Sequence, residues 1–372
     1  MKIQPFKIER YYAPYEFTAE HHLSPSDCES LSKQELLELA DVESIKLWDN
    51  LSLGYTETQG HPELRSQIAE LYDQIQAQNI MVAAPEECIF LTMQTLLNAG
   101  DHMIAVFPSY QSSYEIARSI GCDLSFWEAD EASGWAFDIN KLEDLIKPET
   151  KLLYINFPHN PTAKHINRQE LEAIVAIAKK HDLILFSDEM YRLSEHDPTN
   201  RLPSVCDLYE KGIVLFGMSK SFGLPGLRVG WLATQQTQWI EQCLTMKDYT
   251  TICNSAPSEI LALMGLRAKD QILKRNLDII RANLQVVDGF FEQYQDLFSW
   301  HKPIAGTFGF TKLLFEQSSS DFCRDLIENA GILFVPSSMF NYGEQHIRLG
   351  FGRRNLKDGL EAFTDYLDKH YR

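Results

Sequence analysis

Gly217-Met218-Ser219-Lys220-Ser221-Phe222-Gly223-Leu224-Pro225-Gly226-Leu227-Arg228 follows directly on the apolar run Ile213-Val214-Leu215-Phe216. An apolar run of this length reads as a buried strand of a parallel sheet, and the carboxyl ends of such strands are where open α/β sheets bind ligands. The amine of Lys220 is therefore expected at the edge of a crevice. Two further apolar runs end in the same way. Lys151-Leu152-Leu153-Tyr154-Ile155 leads into Asn156-Phe157-Pro158-His159-Asn160-Pro161-Thr162, and Leu183-Ile184-Leu185-Phe186 leads into Ser187-Asp188-Glu189-Met190-Tyr191. Three strand ends would deliver an amide, a carboxylate with a phenol, and an amine with a guanidinium to one crevice.

Apolar runs alternate with helical patterns from about Ile80 to Leu232, the signature of βαβ units and a mostly parallel sheet. The pattern predicts strands over His102 to Val106 and Asp123 to Trp127, and helices through Tyr114 to Ile120 and Asn140 to Ile146. Arg168 to His181 carries Leu171, Ile174, Val175 and Ala178 at helical spacing. Beyond Leu232 a long helical region runs from Thr237 to about Tyr294, broken near Asn254-Ser255-Ala256-Pro257, where Pro257 suits a first helical turn. The remainder predicts strand (Phe308 to Phe315), helix (Asp321 to Asn329), strands (Ile332 to Pro336, Gln345 to Leu349) and a last helix (Leu356 to Tyr371).

At 372 residues the chain suits a large domain plus a smaller one, and 44% apolar with 23% charged residues is ordinary for a globular protein. A formal net charge of −18 without a basic stripe argues against nucleic acid as a partner. The 7 cysteines are odd in number and never spaced as Cys-x-x-Cys, which reads as free thiols in a reducing compartment. The amino terminus lacks a signal-peptide apolar core and no run approaches a membrane span, so a cytoplasmic location without a membrane partner is expected.

The three strand-end segments, in this order, resemble the signatures of the class I/II aminotransferases, fold-type-I enzymes that use pyridoxal 5′-phosphate. The resemblance starts in Asn50-Leu51-Ser52-Leu53-Gly54-Tyr55-Thr56-Glu57-Thr58-Gln59-Gly60 and reaches Ile347-Arg348-Leu349-Gly350-Phe351. It implies an α/β fold with a large domain over residues 46–255. The small α+β domain would combine residues 1–45 with 256–372. A homodimer is implied as well.

The resemblance also implies roles. Lys220 matches the lysine that forms the Schiff base and then serves as the base that moves the α-proton. Asp188 matches the carboxylate that keeps the pyridine nitrogen protonated, although an Asp after a strand also suits a helix cap. Tyr191 and Asn160 match the groups that reach the ring oxygen. Arg228 matches the phosphate-binding arginine, whose paired donors suit phosphate oxygens, with Ser219 adding a hydroxyl. Tyr110 matches the aromatic residue stacked on the pyridine, and Tyr55 a tyrosine that reaches the phosphate of the neighbouring subunit's cofactor. Arg348 matches the arginine that grips the substrate α-carboxylate. Leu23-Ser24-Pro25-Ser26-Asp27-Cys28 falls where the family lines its side-chain pocket.

Two positions depart from the family pattern. Gly217 stands where the commonest pattern carries a further serine. Val82-Ala83-Ala84-Pro85-Glu86-Glu87-Cys88 replaces a Gly-containing turn that opens a helix beneath the phosphate. A helix amino terminus here would still offer the amides of Ala84, Glu86 and Glu87, but Pro85 has no N–H and Glu86 adds negative charge. The resulting expectation is an amino-acid aminotransferase that acts on an amino acid and a 2-oxo acid. A lyase or cyclising enzyme on the same fold is the alternative, and a non-catalytic pyridoxal-phosphate-binding regulatory protein is a more distant one.

Overall fold

The computed structural model describes residues 2–372. A seven-stranded sheet runs in the order Ile80–Ala83, Gly230–Thr234, Gly212–Gly217, Ile184–Asp188, Thr150–Asn156, His102–Phe107, Asp123–Glu128. Gly230–Thr234 is antiparallel to both its neighbours, and the other pairs are parallel. Ile184–Asp188 and Gly212–Gly217 are buried along their whole length, as expected for strands covered on both faces. The architecture is the α/β fold anticipated from the alternating pattern.

The chain runs outward from His102–Phe107 to the edge strand Asp123–Glu128, then returns to Thr150–Asn156 on the other side of His102–Phe107 and proceeds in the opposite direction. That reversal opens a crevice at the carboxyl ends of the strands. Register brings the ends level: Asn156 lies opposite Asp188, and Asp188 opposite Leu215. The helix Arg168–Lys180 begins with a capping box between Asn167 and Glu170 and buries Leu171, Ile174, Val175 and Ala178, the stripe read from the sequence.

The carboxy-terminal part holds a four-stranded antiparallel sheet in the order Val335–Pro336, His346–Gly350, Phe308–Leu313, Phe298–Ser299. A separate parallel pair joins His21–His22 to Ile332–Leu333, so the amino-terminal segment is built into this part of the fold. Its core joins Leu23 and Cys28 to residues from Leu277 through Leu367. Leu36 and the helix Ala256–Arg267 pack in the other, larger core, with the seven-stranded sheet.

Local differences from the sequence reading have physical causes. The long helical region is three helices, Thr237–Lys247, Ala256–Arg267 and Lys269–Gln293, because Ala268 leaves helical dihedrals at φ −91 and ψ 13. The strand expected over Ile332 to Pro336 is divided between two sheets at Phe334, whose side chain enters the core. The helix expected from Asn140 spans Ile139–Asp144, because the Asp138 carboxylate accepts the Asn140 amide and sets its start.

Candidate active site

A cavity of about 480 Å³ opens at the crevice, and Asn160, Asp188, Tyr191, Ser219, Lys220 and Arg228 all line it. Tyr110, Glu86 and Arg348 complete the set of anticipated residues that reach it. Ala84 and Glu87 line the adjoining apolar cleft instead. The Glu87 carboxylate turns away to accept the hydroxyls of Thr250 and Thr251. Tyr55 lies outside the cavity with 92% of its surface exposed.

Asp188 ends the central strand with its carboxylate buried. Its Oδ2 accepts the Tyr154 hydroxyl at 2.8 Å and its Oδ1 accepts the Met190 amide at 3.0 Å. Burial pushes its pKa up to about 6, opposed by those two donors and by the charge of Lys220. A cationic group facing this carboxylate from the cavity would favour its ionised form.

Lys220 follows the strand Gly212–Gly217 and donates from Nζ to Ser26 Oγ at 3.0 Å. Its ammonium also lies 5.9 Å from the centroid of the Tyr191 ring. Tyr191 is buried and packs edge-on against Phe308. The next residue, Ser221, donates from Oγ to the carbonyl of Arg192, which ties the lysine turn to the turn that carries Tyr191.

Arg348 lies in the strand His346–Gly350 and is only 2% exposed. It donates to Asn160 Oδ1 at 3.0 Å, to the Tyr12 hydroxyl at 3.0 Å and to the Ser24 carbonyl at 3.1 Å. Phe308 and Phe340 flank the guanidinium. A guanidinium has no acceptor, so this contact orients the Asn160 amide with Nδ2 left as a donor. Nε of Arg348 is buried without a partner.

In the same cavity lining, the Ser219 hydroxyl is likewise buried and unpartnered. Arg228 adopts a left-handed conformation, φ 55, after the turn Pro225–Leu227, an arrangement uncommon for a side-chain-bearing residue. The helix Pro85–Leu96 starts here, with Ala84 as its N-cap and the first intrahelical bond running from the Cys88 amide to the Ala84 carbonyl. Amides ahead of that bond are free of the helix ladder. An orphaned hydroxyl, a guanidinium and a helix amino terminus fit a phosphate. The buried carboxylate of Asp188 fits a ring nitrogen, and the Lys220 amine fits an aldehyde, so the residues present match pyridoxal phosphate.

Several members of the site escaped the sequence reading. Ser26 lies in the segment assigned to the substrate pocket, but nothing there marked its hydroxyl as the partner of Lys220. Tyr12 carries no local signal, because only the tertiary fold sets it against Arg348. Tyr110 donates to Glu9 Oε1 at 2.8 Å and packs against Phe6, so the amino-terminal segment covers the aromatic residue expected to stack on the cofactor.

Known proteins resemble this chain along most of its length. The model of the family "Aminotransferase class I and II" matches residues 31–363. The crystal structure of a PLP-dependent aminotransferase from Streptococcus suis 89-1591 is 31% identical, covers 100% of both chains and superposes with a TM-score of 0.93. The PLP-dependent cyclase OrfR is 25% identical, with a TM-score of 0.91 over 99% of this chain and 98% of its own. Capreomycidine synthase of Streptomyces vinaceus is 27% identical over 77% of this chain and 73% of its own length. The chain belongs to the class I and II aminotransferase family of fold-type-I pyridoxal-phosphate-dependent enzymes.

Proposed function

We propose that the protein is a homodimeric, pyridoxal-phosphate-dependent aminotransferase that moves an amino group between an amino acid and a 2-oxo acid. The observation that carries this reading is the convergence of Lys220, Asp188 and Arg348 on one cavity. When bound, pyridoxal phosphate supplies an aldehyde that exchanges with amines and a ring that withdraws electrons from the substrate's Cα–H bond.

The chain's own groups do the rest. Arg348 binds the substrate carboxylate and, through Asn160, fixes the amide beside it. Lys220 Nζ carries the proton taken from the substrate Cα. The Asp188 carboxylate accepts a hydrogen bond from the protonated ring nitrogen, while Ser219, Arg228 and the start of the helix Pro85–Leu96 hold the phosphate. The remaining cation of the lining, Arg353, is tied to the Asp27 carboxylate at 3.0 Å, and Glu9 and Glu16 also line the cavity. A second substrate carboxylate therefore finds no unpaired cation among the described residues in the part of the lining that this chain supplies, and an uncharged or basic side chain suits that part.

A cyclising or eliminating enzyme is the second reading, favoured by the likeness to the cyclase OrfR and to capreomycidine synthase. Both reactions need the same proton removal from Cα. One experiment separates them: cofactor-loaded protein is incubated with a panel of amino acids without any 2-oxo acid. Stoichiometric keto acid with pyridoxamine phosphate supports aminotransfer. Catalytic release of ammonia or of a cyclised product, with the cofactor still an aldehyde, assigns the second reading.

A further inference from the structure

Tyr154 belongs to no motif, yet its strand places it where it bears on the chemistry. The pleat of Thr150–Asn156 puts Leu152, Tyr154 and Asn156 on one face. Register sets Tyr154 opposite Phe186 and Asn156 opposite Asp188 in the neighbouring strand. Tyr154 is thus the diagonal neighbour of Asp188 on the same face, a separation that a long side chain spans. Its ring packs edge-on against Phe186 at 5.5 Å, and its hydroxyl ends 2.8 Å from Asp188 Oδ2. Asn156 takes the other end of the same residue, donating from Nδ2 to the Asp188 carbonyl at 2.9 Å. Two residues of one strand therefore hold both the carboxylate and the backbone of Asp188.

We infer that Tyr154 is a positioning residue that keeps Asp188 ionised, so that the proton shared between this carboxylate and the cofactor's pyridine nitrogen resides on the nitrogen. The inference rests on the reading of the cavity as a pyridoxal-phosphate site. Tyr154 is fully buried and burial pushes its acidity well below that of a free phenol, so it donates its hydrogen bond without surrendering its proton. A phenol in this place can only donate to an ionised carboxylate, and donation stabilises the charged form. Met190 supplies a donor to Oδ1 alone, and Lys220 contributes only its charge. Without the Tyr154 hydroxyl, Oδ2 loses the single protein donor found for it among the described residues. The carboxylate then competes better for the proton, and the ring loses positive charge.

The test uses pyridoxal phosphate labelled with ¹⁵N in the ring, bound to the intact protein, with Tyr154→Phe preserving the buried ring. In the wild type the ¹⁵N resonance is expected at the protonated position. In Tyr154→Phe it moves toward the unprotonated position, and the dissociation constant for the cofactor rises roughly tenfold to a hundredfold, the range for one hydrogen bond to a charged group. A Tyr154→Phe protein that binds the cofactor with an unmoved ¹⁵N resonance overturns the role of Tyr154 and leaves the cofactor reading intact. A wild type that binds no pyridoxal phosphate overturns both. Asp188→Asn with and without Tyr154→Phe covers the case in which the single variant does not fold, because the amide carries no buried charge. Matching ¹⁵N positions in those two proteins support action through the carboxylate, and a difference between them overturns it.

Discussion

The ring of Pro85 fills the space beside Gly230: a Cβ at Gly230 would stand 2.8 Å from Pro85 Cγ. Gly217 belongs to the same contact, since a Cβ there would lie 2.8 Å from Gly230 Cα and 3.4 Å from Pro85 Cγ. The two departures from the family pattern, a proline at the helix start and a glycine before the lysine, therefore meet in one packing contact. The antiparallel strand Gly230–Thr234 comes close enough to Gly217 for the helix Pro85–Leu96 to dock through its proline.

Gly217→Ser, which restores the serine of the common pattern, is accordingly expected to weaken the protein instead of adding a phosphate ligand. Overpacking against backbone costs about 1–3 kcal/mol. A lower denaturation midpoint with no gain in pyridoxal-phosphate affinity checks this. Tighter cofactor binding at unchanged stability would show that the strand yields.

Glu86 adds to the pH response of the cofactor-free site, which Asp188 shares. It is half-buried as a residue, but its carboxyl sits deep among protein atoms, and burial foremost, then the charges of Glu9 and Asp188, push it up to about 7. Its folded value lies above the unfolded one, so the stabilising protonated form is lost as pH rises through about 7. Glu86→Gln should therefore stabilise the cofactor-free protein at pH about 8 and have little effect at pH about 4. Ionised Glu86 also repels phosphate near Arg228. Wild-type affinity for pyridoxal phosphate is expected to fall more steeply across neutral pH than that of Glu86→Gln, measured by absorbance titration.

Arg348→Lys keeps a charge but loses the fork that joins Asn160, Tyr12 and Ser24. A loss of roughly tenfold to a hundredfold in kcat/KM for the amino acid is expected, with cofactor affinity retained. Normal turnover with collapsed cofactor binding would instead make Arg348 a support for the cofactor.

Tyr55 is the exposed residue whose assigned role requires a second subunit. Its segment is tied to the chain through the Thr56 hydroxyl and the Asn254 carbonyl, with Tyr249 and Ile252 also exposed. Mixing Tyr55→Phe with Lys220→Ala subunits should give hybrids with both lesions in one site and the other site intact. Full activity of a monomer at high dilution would refute a shared site.

The sequence was sufficient to place the side chains that follow the end of a buried strand. Apolar runs that stop at Asn156, Asp188 and Gly217 locate the crevice, because strand period and burial are local properties of the chain. Lys220, Asp188, Asn160, Arg228 and Arg348 could be named from the segments that carry them. Contacts across the fold were another matter. Tyr12 against Arg348 spans 336 positions and Ser26 against Lys220 spans 194. Such pairs leave no periodicity to read. The Tyr154 hydroxyl was concealed for a different reason, since one aromatic residue in an apolar run looks like core until strand register sets it diagonally across from Asp188. The space around Gly217 was likewise decided by an antiparallel strand and a proline more than a hundred residues away, through close packing that only the assembled sheet defines.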